Sequence, residues 1–219
     1  MTRPVTGRPP PALDREPLTR DTLEAARALI GALLVRDDDR GSGRRVGRIV
    51  EVEAYIGSGD RASHARMGPT PRNRVMFGPP GIVYVYLVYG MHHCLNVVTE
   101  PDQRPAAVLI RAVEPLEGLA GMRAARGLAR PGGRCVRDAR LASGPGLVCS
   151  AFGIDRAMTG LDLCDPSSHL RLEPRPDGIP VPEVVAAPRI GIGYAGEPWI
   201  SRPWRLLDPA SPSLSRVAP

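Results

Sequence analysis

Lysine is missing from this chain: all of its 29 basic residues are arginine, against 23 acidic ones. Without a side-chain amine, Schiff-base chemistry is excluded everywhere except at the N-terminal amine. A Walker-type phosphate loop, which needs a lysine, is excluded as well. Aromatic residues make up only 4% of the chain, so the place where they gather is informative. Long apolar runs are missing too. The best, Ala25 to Val35, is interrupted by Arg27 and is far short of the roughly 20 residues a membrane span requires. The first residues, MTRPVTGRPPPALDREP, have no apolar region of a secretory signal. The expectation is a soluble, cytoplasmic protein with no membrane contact. The four cysteines, Cys94, Cys135, Cys149 and Cys164, form no C-x-x-C pair. They read as free thiols, with no disulfide framework and no metal site.

A net charge of +6 and a pI near 9.7 permit a nucleic-acid partner without requiring one. The length suits one domain with a real core. The 24 glycines and 25 prolines imply short elements and many turns. Residues 1–14 read as a disordered Pro/Arg-rich tail, 15–210 as a single domain and 211–219 as a C-terminal tail. The apolar spacing of Leu23, Ala26, Ile30 and Leu33 or Leu34 predicts a helix over Thr22–Arg36, with Asp21 and Glu24 as its capping signal. A polar turn follows over Asp37–Arg45. Strands are expected at Arg48–Ile56, Ile82–Tyr89, Cys94–Thr99 and Ala106–Val113, and more weakly at His169–Glu173, Arg189–Tyr194 and Trp204–Leu207. Helices are expected at Glu117–Ala129 and at Pro145–Phe152, the latter capped by Ser143. Ser58–Pro80 is a loop long enough to have a function. Without regular βαβ alternation, the class is α+β: a mixed sheet flanked by helices.

Four features carry potential chemistry. In RIVEVEAYI, alternation puts Val50, Val52, Ala54 and Ile56 on one face and Glu51, Glu53 and Tyr55 on the other. The second face is either the wet side of an edge strand or a general base beside an aromatic wall. Three of the five tyrosines, Tyr84, Tyr86 and Tyr89, fall within six residues. They either simply suit a strand, or Tyr89, at the hairpin tip, is placed to wedge into a base stack. In the loop HARMGPTPRNR, His64 is a candidate ligand donor, and Arg66, Arg72 and Arg74 are candidate phosphate contacts. The arginines at 123, 126 and 130, and at 134, 137 and 140, recur at helical spacing, as a solvated face or a phosphate-contacting stripe. His92, His93 and Cys94 lack the partner spacing of a metal site. Together these parts point to an enzyme acting on an extruded base.

The segments IVEVEAYIGSGDRASHA, TPRNRVMFGPPGIVYVYLVYGM, CLNVV, VLIRAVEPLEG, LASGPGLVC and PRIGIGYAGE occur in this order between about residue 19 and residue 207. They resemble the monofunctional alkyladenine (3-methyladenine) DNA glycosylase family. The resemblance implies a single domain with a curved antiparallel sheet, acting on duplex DNA with damaged purines; no cofactor or metal and a nucleoid association are expected, and a monomer is the default, since the DNA face must stay open. It assigns Glu53 as general base, Arg111 as a holder of the nucleophilic water and adjacent phosphate, and the carbonyl of Ile190 as another water ligand. Tyr55 and Tyr86 become opposite walls of a base pocket, His64 a hydrogen-bonding partner of the base edge, and Asn96 the residue that disfavours normal guanine. Tyr89 becomes the residue inserted through the minor groove. His92 and His93 stand where some relatives are expected to carry bulkier aromatics. The implied reaction is excision of 3-methyladenine, 7-methylguanine, hypoxanthine or ethenoadenine by base flipping and hydrolysis, leaving an abasic site. The rivals are a non-catalytic lesion- or RNA-binding module and a hydrolase of free nucleosides.

Overall fold

A computed structural model describes residues 11–37, 43–129 and 135–215. Residues 1–10 of the expected N-terminal tail, the middle of the expected polar turn, Arg130, Arg134 and the last four residues lie outside that description. A short helix α1 (Glu16–Thr19) leads into α2 (Thr22–Leu29), whose first turn is capped as expected: the Asp21 carboxylate accepts from the Leu23 amide. The helix predicted over Thr22–Arg36 stops at Leu29. Ile30 is extended, Gly31 takes a left-handed φ of +90°, and Leu33–Arg36 becomes strand β1. A short apolar run reads equally well as buried strand or buried helix, and here sheet pairing decided it.

Strand β2 (Arg45–Ile56) is followed by the long loop, which carries one 3₁₀ turn at Arg74–Phe77. The hairpin β3 (Val83–Val88) and β4 (His92–Thr99) comes next, then β5 (Ala106–Glu117). Helix α3 (Leu119–Ala125) is shorter than expected, because Glu117 still belongs to β5. Helix α4 (Pro145–Phe152) has the predicted bounds, but its N-cap is Gly144, and Ser143 makes no capping bond. Strand β6 (Leu170–Glu173) matches its expectation. The strand expected at Arg189–Tyr194 is absent; Gly193–Ala195 is a 3₁₀ turn, and β7 forms earlier, at Val185–Ala187. Strand β8 (Arg205–Leu207) completes the set.

Every named strand pairing is antiparallel, and the main path through the sheet runs β3-β4-β5-β2-β1-β6, with β8 joining β2 and β7. Among the described residues, the curled sheet with its four helices is the expected α+β arrangement. Strand β2 is its spine. Along one side it pairs with β5 for most of its length; along the other it pairs with β1 through Arg45–Arg48 and with β8 through Glu51–Glu53. Glu51 and Glu53 therefore sit in a central strand, both fully buried, which excludes the wet edge-strand reading. Register shifts around Glu51 mark a bulge against β5, which bends the strand where these carboxylates emerge. The main core takes Leu29, Ile49, Val52, Ile110 and Phe152, among others, while a smaller cluster of Ala65, Met76, Tyr84, Val98 and Ala107 supports the long loop.

Candidate functional site

Strand alternation brings Glu53 and Tyr55 to the same face, and their side chains meet: the Tyr55 hydroxyl donates to Glu53 Oε2 at 2.9 Å. Burial, reinforced by the Glu53 charge, raises the Tyr55 pKa well above 10, so the phenol stays a donor. The other oxygen, Oε1, accepts from the Ile190 amide at 2.7 Å and lies 3.3 Å from Arg111 Nη1. Donors thus hold both Glu53 oxygens at defined positions.

Arg111 comes from the neighbouring β5 and also donates through Nε to Glu51 Oε1 at 3.2 Å. Burial alone would lower its pKa; Glu53 and then Glu51 outweigh that and raise it. Glu51 is further held by Arg205 at 3.0 Å and by Ser215, whose amide and hydroxyl donate at 2.7 and 2.8 Å. Two buried carboxylates are therefore matched by two guanidiniums, the arrangement that makes burial of charge tolerable. Ser211 and Ser213 are also buried, so residues 211–215 pack back onto the domain, with Ser215 on this network.

A small cleft is lined by Tyr55, His64, Tyr84, Tyr86, Asn96 and Tyr194, and the Tyr55 hydroxyl links it to Glu53. Asn96 forms part of its floor, its amide nitrogen donating to the Tyr84 and Cys94 carbonyls at 3.1 and 3.4 Å. The His64 ring stands edge-on to Tyr86 with centroids 4.5 Å apart, and its Nδ1 is 3.0 Å from the Tyr84 hydroxyl. Desolvation, reinforced by the Arg72 cation, lowers the His64 pKa to about 4, so the imidazole is neutral near pH 7.

The arginines expected on phosphates behave differently from one another. Arg66 and Arg74 are exposed, and Arg66 donates to the Arg61 carbonyl at 3.1 Å. Arg72 leans over the Tyr86 ring, 5.5 Å from its centroid, and so belongs to the rim of the cleft. Of the two arginine triplets, Arg123, Arg126, Arg137 and Arg140 are among the described residues, and they do not share one helix. Arg123 and Arg126 on or just after α3 donate to the carbonyls of Val136, Arg140 and Leu141, and residues 138–140 are only a 3₁₀ turn.

Tyr89 is 87% exposed at the tip of the β3–β4 hairpin. Both Tyr89 (φ +51°) and Gly90 (φ +68°) are left-handed, as in type I′ hairpin turns. For a tyrosine this conformation is strained, and such strain gathers at functional sites. Beside the tip runs a shallow apolar groove lined by Val88, His92, Pro145 and Leu147. Gly146 approaches His92 closely: a Cβ at 146 would lie 3.1 Å from the His92 Cβ and 3.2–3.3 Å from its ring.

Several residues had no role assigned from the sequence. Asn73 is buried and organises the long loop: its amide nitrogen donates to the His64 and Gly68 carbonyls at 2.8 and 3.1 Å. Tyr84 fixes the His64 ring. Tyr194 crosses the rim, its hydroxyl 3.3 Å from the Ala62 carbonyl. Asp60 and Arg189 form a buried pair behind the cleft. A polar residue in a loop carries no local mark of such long-range partners; only the clustering of TPRNR and PRIGIGY with other functional segments hints at them.

The site sets an aromatic-lined cleft beside a carboxylate held by three donors. Among the described residues, no helix is long and apolar enough to cross a membrane. The family model for methylpurine-DNA glycosylase matches residues 16–212. A relative from Methanocella arvoryzae is 52% identical over 209 residues, covering 95% of this chain and 98% of the relative. The human DNA-3-methyladenine glycosylase is 46% identical over 195 residues, 88% of this chain and 64% of the human one. The mouse protein of the same name is 48% identical over 196 residues, 88% of this chain and 57% of the mouse one. A match over nearly the whole chain, through the segments that build the cleft and its carboxylate, means that this protein belongs to the methylpurine-DNA glycosylase family.

Proposed function

We propose that the protein is a monofunctional DNA glycosylase that removes alkylated or deaminated purines, such as 3-methyladenine, 7-methylguanine, hypoxanthine and ethenoadenine, from duplex DNA. The observation that carries this reading is the buried Glu53, oriented by the Tyr55 hydroxyl, the Ile190 amide and Arg111 beneath an aromatic cleft. A base inside a duplex is out of reach of such a cleft, so the nucleotide must be extruded. Tyr89 fills the vacated place in the stack. The base lies between Tyr55 and Tyr86, where a positively charged alkylpurine gains roughly 0.5–2 kcal/mol of cation–π attraction. His64 meets its edge, and Asn96 rejects the exocyclic amine of guanine.

The reaction is a hydrolysis. A water oxygen bonds to C1′ of the sugar, the C1′–N bond breaks, and the base departs with its electron pair. Glu53 takes the proton from the water, and its charge favours the oxocarbenium-like sugar. The Ile190 carbonyl serves as a second ligand of the water. Arg111 keeps Glu53 in place and reaches toward the flanking phosphate. Arg66, Arg72 and Arg74 contact the backbone. The enzyme works as a monomer, associated with the nucleoid in the cytoplasm, leaving one face open to DNA.

The test is a duplex carrying one hypoxanthine or 3-methyladenine. The expected products are free base and an intact strand with an abasic site, with no adduct trapped by borohydride; the chain has no lysine, so a trapped adduct would mark the N-terminal amine as nucleophile and a lyase instead. Binding without base release marks a lesion-binding module instead. Release from free nucleosides alone marks a nucleosidase.

A further inference from the structure

Arg189 and its neighbour Ile190 together touch three successive residues of β2. Its own chain neighbour, Ile190, donates its amide to Glu53. Its Nη1 donates to the Ala54 carbonyl at 2.9 Å. Its guanidinium carbon lies 4.7 Å from the centre of the Tyr55 ring. The same guanidinium forks onto Asp60, with Nη1–Oδ2 at 2.6 Å and Nη2–Oδ1 at 2.9 Å. Both side chains of this pair are fully buried. Asp60 in turn accepts from the Ile56 and Ala62 amides, which ties the start of the cleft loop to the end of β2. The buried Nε of Arg189 has no hydrogen-bond partner among the described residues, so stacking governs that side of the group. Arg189 does not line the cleft. Its contact with Tyr55 is made from outside it.

The contacts continue outward. The Arg189 guanidinium is 4.9 Å from the Trp204 ring centre, and Arg202 lies 4.7 Å from Trp204 and 4.6 Å from Trp199. Trp204 also accepts the Ala54 amide through its carbonyl at 2.8 Å. Both backbone polar groups of Ala54, between the carboxylate and the wall, are thus held by one cation–aromatic ladder running Tyr55, Arg189, Trp204, Arg202, Trp199. Guanidinium suits this task because it stacks and forks at once; an ammonium does one badly and the other not at all.

We propose that Arg189 is a positioning residue for hydrolysis, setting the Glu53 carboxylate and the Tyr55 wall in register through its fork on Asp60 and its stack on Tyr55 and Trp204. The inference rests on the reading of Glu53 as general base. Removing one member of a buried pair leaves an uncompensated charge, so two designs are needed. Arg189→Lys keeps the charge and loses the fork and the stack. The double variant Arg189→Met with Asp60→Asn removes both charges together. Single-turnover excision and affinity for a hypoxanthine duplex are measured for each, beside Glu53→Gln. The two tryptophans of the chain both lie in the ladder, so intrinsic fluorescence reports its integrity directly.

The expected result is a single-turnover rate lowered at least tenfold in both designs, an affinity for lesion DNA within about threefold of the parent, and a shifted tryptophan emission. Unchanged single-turnover rates with a shifted emission overturn the positioning role. So does a rate that falls only in proportion to the fraction of protein that binds DNA. Full activity of Glu53→Gln instead overturns the hydrolytic reading, and that outcome is separate from either of the others.

Discussion

The Tyr55 hydroxyl donates to Glu53 Oε2 from two residues along the same strand, at 2.9 Å. One side chain is therefore both a wall of the cleft and a clamp on the carboxylate beneath it. Its ring and its hydroxyl have separable effects. Tyr55→Phe keeps the wall and loses a charge-assisted hydrogen bond of about 1.5 kcal/mol. Excision is expected to slow by roughly tenfold with lesion affinity retained. Tyr55→Ala is expected to lose affinity as well. Equal single-turnover rates for Tyr55→Phe and parent show that the hydroxyl does not orient Glu53 for the reaction.

Glu53 itself gives the largest expected effect. Glu53→Gln preserves shape and is expected to bind damaged DNA while excising about 10²–10⁴-fold more slowly, the usual range for a general base. Single-turnover release of hypoxanthine measures it.

Tyr89 holds a left-handed conformation at an exposed tip. Tyr89→Ala is expected to weaken binding to a lesion in a fully paired duplex by several-fold, with little change for a lesion already extruded in a bulge. Equal losses on both substrates exclude a wedge. Because the strain lies in the backbone, Tyr89→Gly is expected to be the more stable of the two small variants.

His64 has a pKa of about 4, below its ordinary 6.5. The unfolded chain therefore binds more protons than the folded one between those values. The contribution of this group to stability is complete above about pH 6.5 and is lost as pH falls toward 4. His64→Asn is expected to flatten that part of the stability profile. Ring-proton NMR places the titration directly, and a midpoint near 6.5 contradicts the desolvated site.

The C-terminal segment reaches back to Glu51 through Ser215. A chain ending at residue 210 loses both bonds and leaves Glu51 to compete with Glu53 for Arg111. A Tm lower by roughly 3–10 °C is expected, from about 1–3 kcal/mol of lost hydrogen bonding to a buried charge. Excision is expected to fall with it, and thermal melts and single-turnover assays on the same preparation read both.

Alternation in YVYLVY and in the second half of RIVEVEAYI was enough to say which side chains share a face, because a strand repeats every two residues; at the bulge beside Glu51 the count breaks, and Ile49 rather than Val50 joins Val52 in the main core. The helix predicted past Gly31 went wrong for the converse reason: Leu33–Val35 is apolar on every side, and such a run has no period to read. The glycines and the tyrosine at the hairpin tip were equally legible, since a tight turn has local requirements. The absence of lysine and its chemical consequence came from the sequence alone.

Tertiary structure decided what stands beside each of those faces. Whether Glu53 faced water or the interior depended on β8, about 150 residues further on, pairing with β2. Arg189 found Asp60 across 129 positions and Ser215 found Glu51 across 164. Local period records the geometry of one strand. A buried carboxylate is defined by its donors, and here those donors arrive only when distant segments close around the sheet.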